Sequence, residues 1–166
     1  MRAMRVFKVI VHARTREPVL VLAEEDGDRC LPVFLRQPQA DVIASGPRAE
    51  DDEILTQDLL VPVVRALGRR LEGVEIVALR DGVFEAELVF DRDTRLPARP
   101  SDALSVAVRD GIPIGVADEI LDDVGQFVTE MFPRGADVHE PPERQVAAFR
   151  EFIDDVSPED FGTPSP

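Results

Sequence analysis

The dipeptide Asp81-Gly82 stands between two runs rich in apolar residues, Val74 to Leu79 and Val83 to Phe90. Asp-Gly is a strong short-range hairpin signal, because a tight hairpin turn needs positive φ at both central residues and these two types tolerate it. So short a link leaves antiparallel pairing as the arrangement for the flanking strands. A second hairpin is predicted where Glu25-Asp26-Gly27-Asp28 joins Pro18 to Glu24 with Arg29 to Leu35. An earlier strand is predicted over Arg5 to His12, with Lys8 and His12 on one face and Phe7, Val9 and Val11 on the other.

Helices are interleaved with these strands. Pro100 disfavours helix at Arg99, so the chain arrives extended, and Ser101 reads as an N-cap with Asp102 in the first turn. Ala103, Leu104, Val106, Ala107 and Val108 carry apolar spacing of helical period, and Gly111 followed by Pro113 stops it. A short buried strand is predicted over Ile112 to Val116. A helix is predicted over Gln39 to Ser45, ended by Gly46-Pro47. Another starts with Thr56 as N-cap and Asp58 in the first turn, with Leu59, Leu60, Val63, Val64 and Leu67 as its buried stripe. Pro62 inside that run predicts a kink or a late start. Ala117 to Val124 reads as one more short helix.

This order lacks regular strand-helix-strand alternation and no internal repeat is evident. The fold class is therefore α+β, a mixed and mostly antiparallel sheet with short helices packed on it, plus a C-terminal helix. The body is assigned to residues 1–124 and a Pro- and Gly-rich linker to 125–142. An acidic C-terminal helix and tail follow over 143–166, with Val146, Ala147, Phe149, Phe152, Ile153 and Val156 on its apolar face.

Charge bounds the function. The net charge is −14, and thirteen acids against three arginines from Asp118 onward place most of it in the C-terminal part. Polyanion binders ordinarily carry a basic face, so nucleic acid is an awkward partner for the whole chain and a less awkward one for its body. The loop Glu50-Asp51-Asp52-Glu53 reads as a solvated turn, with cation binding as the other reading. One cysteine, Cys30, cannot form an internal disulfide and reads as a buried thiol. No apolar run has the length of a membrane span and the N-terminus lacks a signal peptide's apolar segment, so a cytoplasmic protein without a membrane partner is expected.

Taken in order, several segments resemble the bifunctional nuclease (BFN) domain family. They are Pro18-Val19-Leu20-Val21-Leu22, Arg29-Cys30-Leu31-Pro32-Val33, Leu55-Thr56-Gln57-Asp58-Leu59-Leu60, the Asp81-Gly82 hairpin with Val83-Phe84, and above all Ala98-Arg99-Pro100-Ser101-Asp102-Ala103. The resemblance spans about Met4 to Leu121. It implies an oligomeric α+β fold, with a dimer as the expected assembly, and cleavage of DNA and RNA. This chain departs from the family pattern at Gln57, where His is usual, at Gln39, where Glu is frequent, and at Pro97, where Asp is common. Glutamine hydrogen-bonds a phosphate but does not serve as a general base. Neither His12 nor His139 occupies a matched position, and both read as surface or packing residues.

The resemblance and the spacing together name a candidate site. Asp58 and Asp102 are the candidate bases or metal ligands, and Arg99 is the candidate phosphate clamp. Thr56 and Ser101 are orienting hydroxyls, with Gln39 and Gln57 as further substrate contacts. Magnesium or manganese is the implied cofactor if the site is catalytic, and single-stranded nucleic acid or another phosphate-bearing ligand is the implied partner. The competing reading is a non-catalytic regulatory or protein-interaction module that keeps the fold, in which Ser101 and Asp102 cap a helix and do nothing more. The site reading requires the helix beginnings at Thr56 and Ser101 to meet.

Overall fold

In the computed structural model, which describes residues 1–12 and 14–132, Asp81 and Gly82 adopt φ values of 51° and 74°. This pair of left-handed residues is what a two-residue hairpin turn demands, and the strands on either side pair antiparallel from Arg80 opposite Val83 onward. They are two of eight strands: β1 (Arg2–Val11), β2 (Pro18–Glu24), β3 (Arg29–Phe34), β4 (Leu71–Arg80), β5 (Val83–Phe90), β6 (Thr94–Ala98), β7 (Ile114–Val116) and β8 (Gln126–Phe127). The helices are α1 (Gln37–Ala44), α2 (Leu60–Ala66), α3 (Pro100–Asp110), α4 (Asp118–Val124) and α5 (Val128–Met131), and a 3₁₀ turn, Thr56–Leu59, leads into α2.

All eight strands form one sheet in the order β6-β5-β4-β7-β1-β2-β3-β8. Two antiparallel blocks, β4-β5-β6 and β1-β2-β3-β8, are joined through β7, which runs antiparallel to β1 and parallel to β4. The fold is thus α+β with a mixed, mostly antiparallel sheet. The parallel contact exists because α3 carries the chain across one face of the sheet before β7 enters the middle. That face is the main core: Leu20 and Leu22 of β2, Val74 and Ile76 of β4 and Val116 of β7 meet Ala40 and Ile43 of α1 and Ala103, Leu104 and Ala107 of α3. On the other face Val21, Ala23 and Cys30 are covered by Met131, Val128 and Phe132, together with Phe7 and Ile10. With helices on both sides, every residue of β2 is buried.

Several boundaries differ from expectation for physical reasons. Helix α3 starts at Pro100, so Arg99 is the N-cap (φ −70°, ψ 138°) and Ser101 is the second helical residue. Proline is well suited to the first turn, where its missing N–H costs nothing. The Gly111 terminator stands as predicted, at φ 64°, and the Ile112 N–H closes back on the Ala107 carbonyl at 2.8 Å.

Leu55, not Thr56, caps the next helical segment, and α2 begins late, at Leu60, which places Pro62 harmlessly in its first turn. The tighter 3₁₀ turn also shifts the phase of the stripe. Val61 is buried at 2% exposure, whereas Leu59, Val63 and Leu67, assigned to the core from their spacing, are 51%, 53% and 75% exposed. Finally, β8 pairs with β3 and α5 packs on Cys30, so the body continues past Val124 into the stretch assigned to a linker. The amphipathic segment 143–156 and His139 lie outside the described residues. Among those described, no helix is long and apolar enough to cross a membrane.

Candidate functional site

Two polar constellations lie at opposite ends of α3; the first gathers Gln39, Arg99, Ser101 and Asp102, and the second holds Asp58.

The first is at the start of the helix. Arg99 is extended and Pro100 turns the chain into α3, which puts Asp102 one turn on and beside the Arg99 side chain. Arg99 Nε donates to Asp102 Oδ2 at 2.7 Å. Gln39, on α1, reaches across and donates from Nε2 to Asp102 Oδ1 at 3.0 Å. An ionised carboxylate only accepts hydrogen bonds, which fixes the amide orientation: Gln39 must present its NH₂ to Asp102. Gln39 Oε1 is then buried with no hydrogen-bond partner among the described residues.

The pair is open to solvent, the Arg99 side chain at 64% and that of Asp102 at 41%. Arg99 spends only Nε on this contact, so its two terminal nitrogens make no hydrogen bond among the described residues. The Ser101 carbonyl accepts from Ser105 Oγ at 2.7 Å, and the Ser101 hydroxyl makes no bond among the described residues. The helix terminus itself offers less than its sequence promised. Pro100 has no N–H and the Asp102 N–H turns back to the Arg99 carbonyl at 3.1 Å, so the backbone donor left over is that of Ser101.

The second constellation is at the C-terminal end. Arg109 holds Asp58 with two parallel hydrogen bonds, Nε to Oδ1 at 3.0 Å and Nη2 to Oδ2 at 3.1 Å. Its Nη1 donates to Asp52 Oδ2 at 3.0 Å. Asp58 Oδ2 also accepts from the Leu55 N–H at 3.0 Å. Both members are buried, Asp58 at 4% and Arg109 at 5% exposure. The Arg109 hydrogen bonds hold the Asp58 carboxyl below the ordinary carboxylate range. Next to it, burial pushes the Asp110 carboxyl upward, and its Oδ2 is buried without a partner among the described residues. Asp52 is exposed like the rest of the acidic loop, and it differs from Glu50, Asp51 and Glu53 in accepting from Arg109 and from the Ala49 N–H.

The helix beginnings at Thr56 and Ser101 do not meet. Asp58 is bound about two turns, on the order of 10 Å, along α3 from Asp102. Thr56 is exposed and Gln57 half-buried in the 3₁₀ turn, and neither bonds to Arg99, Ser101 or Asp102 among the described residues. The expected pairing of Asp58 with Asp102 fails because a buried arginine outcompetes solvent for Asp58. Arg109 was not singled out from its spacing. Its signal is a basic residue on the apolar face of an amphipathic helix, where burial requires an acidic partner. Pro97 sits on edge strand β6, opposite Glu87, a place where a missing ladder donor is tolerated.

His12 is buried at 6% exposure, its Nδ1 accepts from the Thr15 N–H at 3.1 Å, and its ring lies 5.9 Å from that of Phe34. It is a packing residue. Among the described residues no group of three or more His, Cys, Asp or Glu side chains is placed to hold a metal ion. With Asp58 engaged and an amide at position 39, the donor set around Asp102 does not fit a resident magnesium or manganese ion.

Beside the α3 start lies an apolar cleft of about 220 Å³, walled by Phe34 of β3, by Leu79, Val83 and Phe84 around the hairpin tip, and by Pro100 and Ser101. Neither the cleft nor its aromatic rings was anticipated, since its walls come from three distant parts of the chain.

The bifunctional nuclease domain model matches residues 20–129, a stretch that contains both constellations and the cleft. Over 162 residues the chain is 39% identical to uncharacterized protein MT1877 of Mycobacterium tuberculosis (strain CDC 1551 / Oshkosh), covering 97% of this chain and 98% of that one. The same figures hold for uncharacterized protein Rv1829 of strain ATCC 25618 / H37Rv.

Proposed function

The chain belongs to the bifunctional nuclease domain family, and from that membership we propose that it is a nuclease-like protein that engages the phosphodiester backbone of single-stranded nucleic acid at the start of α3. The observation that carries this reading is the half-used guanidinium of Arg99. Its Nε is committed to Asp102, which orients the fork, and its terminal nitrogens are left for a phosphate. Ser101 supplies a hydroxyl and a backbone N–H on the same turn. Asp102, held on one oxygen by Arg99 and on the other by Gln39, is the one carboxylate of the constellation and the group that takes a proton from an attacking water or hydroxyl. Arg99 then offsets the charge that builds on the phosphate oxygens. Asp58 has no part in this chemistry; it anchors the 3₁₀ turn to α3.

One observation favours a second reading, a phosphate-binding module without turnover. The amide of Gln39 stands where a second acid would be needed to share a metal or a proton with Asp102. Incubation of the purified protein with labelled single-stranded DNA and RNA, with and without magnesium or manganese, separates the readings when binding is followed in parallel. Cleavage that disappears in Asp102→Asn while binding persists supports the nuclease. Binding without cleavage, lost in Arg99→Gln, supports the module. Absence of both ends the assignment of this site.

The expectation of a homodimer also stands as a proposal, supported by the solvent-facing Leu59, Val63 and Leu67 in and around α2. Sedimentation of the wild type and a Val63→Glu variant tests it.

A further inference from the structure

The reading above concerns a phosphate; the cleft next to it concerns what is attached to that phosphate. We propose that the cleft is a nucleobase subsite, which receives one unpaired base of the strand whose phosphate lies on Arg99. The proposal rests on the phosphate reading and names the substrate class more narrowly: nucleic acid with a base free to leave its stack.

Four features converge. The cleft measures about 220 Å³, below the ~300–1,000 Å³ usual for drug-sized ligands, and so suits a single flat ring system. Its walls carry two aromatic rings, Phe34 and Phe84, and base stacking on such rings tolerates every base. Phe84 packs on the main core, and Phe34 lies against the His12 ring yet remains 42% exposed, so both aromatic residues are held in place by their neighbours. Ser101 belongs both to the cleft wall and to the helix start beside Arg99 and Asp102, so a ligand seated there lies next to the guanidinium fork.

The cleft walls present no ionisable side chain, which suits a neutral ring and excludes a second phosphate. The Ser101 hydroxyl both donates and accepts, so it meets the polar edge of any base without strong preference. The hairpin tip that walls the cleft is a tight two-residue turn, with both of its residues in the left-handed region. A duplex keeps its bases stacked and paired, and extracting one is costly. The cleft therefore selects single strands by shape and stacking more than by sequence.

Binding is measured with short single-stranded DNA carrying 2-aminopurine, whose fluorescence reports stacking. The chain contains no Trp or Tyr, so the protein contributes little background. The arms are the intact strand, the same strand with the reporter base opposite its complement, and an abasic strand labelled at its end. The wild type is expected to bind the intact strand at least about fivefold better than the abasic or duplex forms. Phe34→Ala is expected to lose that preference and leave abasic binding unchanged. Val83→Glu, at a position 64% exposed at the cleft mouth, is expected to do the same without touching the core. Equal binding of intact and abasic strands by the wild type, weakened for both by Arg99→Gln, overturns the base subsite and leaves the phosphate reading standing. No binding of any strand, or binding insensitive to Arg99→Gln, overturns both.

Discussion

Arg109 meets Asp58 side-on, with Nε and Nη2 each 3.0 to 3.1 Å from a separate carboxylate oxygen, and the pair is almost wholly excluded from water. This contact ties the 3₁₀ turn before α2 to the last turn of α3. Breaking it from one side strands a buried charge. Asp58→Ala and Arg109→Met should each cost about 3–5 kcal/mol in urea unfolding, and the double variant less than their sum. Additive losses would mean that the two groups act independently.

The same carboxylate sets an acid limb. Its pKa is depressed in the folded state, so its contribution is complete above the ordinary value of 3.8 and is lost as pH falls below it. Asp110 has the opposite sign. Its raised pKa means that stability is lost as pH climbs through the folded value. Asp110→Asn should therefore raise Tm at pH 7, with the gain vanishing toward pH 3.8 and below. A Tm change independent of pH would rule out the titration of Asp110 as its cause.

Gln39→Glu places a second carboxylate at a 3.0 Å contact with Asp102. Like charges so close resist joint ionisation. In metal-free buffer the variant should lose about 1 kcal/mol of stability, and manganese or magnesium should restore it by bridging the two acids. Thermal melting with and without metal is the measurement; the wild type should show no comparable response.

Two valines separated by one position test the phase of α2. Val61 is buried against Leu71, Phe90 and Val106, whereas Val63 is 53% exposed. Val61→Ala should cost about 2 kcal/mol and Val63→Ala no more than about 0.5 kcal/mol in the monomer. Similar costs at both positions would contradict this packing.

Cys30 is fully buried, its Sγ lies 3.1 Å from Met131 Sδ, and burial pushes its thiol up to about 12. A thiol that stays protonated is a poor nucleophile. Disulfide reagents at pH 8 should modify the native protein at least about a hundredfold more slowly than the urea-unfolded chain. Rapid modification of native protein would require that α5 detach from the sheet.

The hairpins, the extent of β2 and the Gly111 stop were legible in residue order because each depends on local backbone preference. Asp81-Gly82 has its turn wherever the rest of the chain goes, and Pro100 delivers Arg99 extended on steric grounds alone. The phase of α2 was not legible, since a 3₁₀ turn rotates the face that a regular 3.6-residue period would bury. Residue order likewise placed Asp102 beside Arg99, one helical turn apart, whereas Gln39, which arrives from another helix, entered the candidate site through the family resemblance and not through spacing.

What local chemistry determined here is where the elements begin and end, and the mixed, mainly antiparallel character of the sheet. Tertiary packing alone decided which polar groups share a site. Asp58 went to Arg109 because a buried guanidinium needs a carboxylate, and Phe34, Phe84 and Ser101 came to line one cleft because β3, the β4–β5 hairpin and the start of α3 converge there. Such pairings depend on how distant segments satisfy one another's charge and surface, which spacing along a chain does not encode.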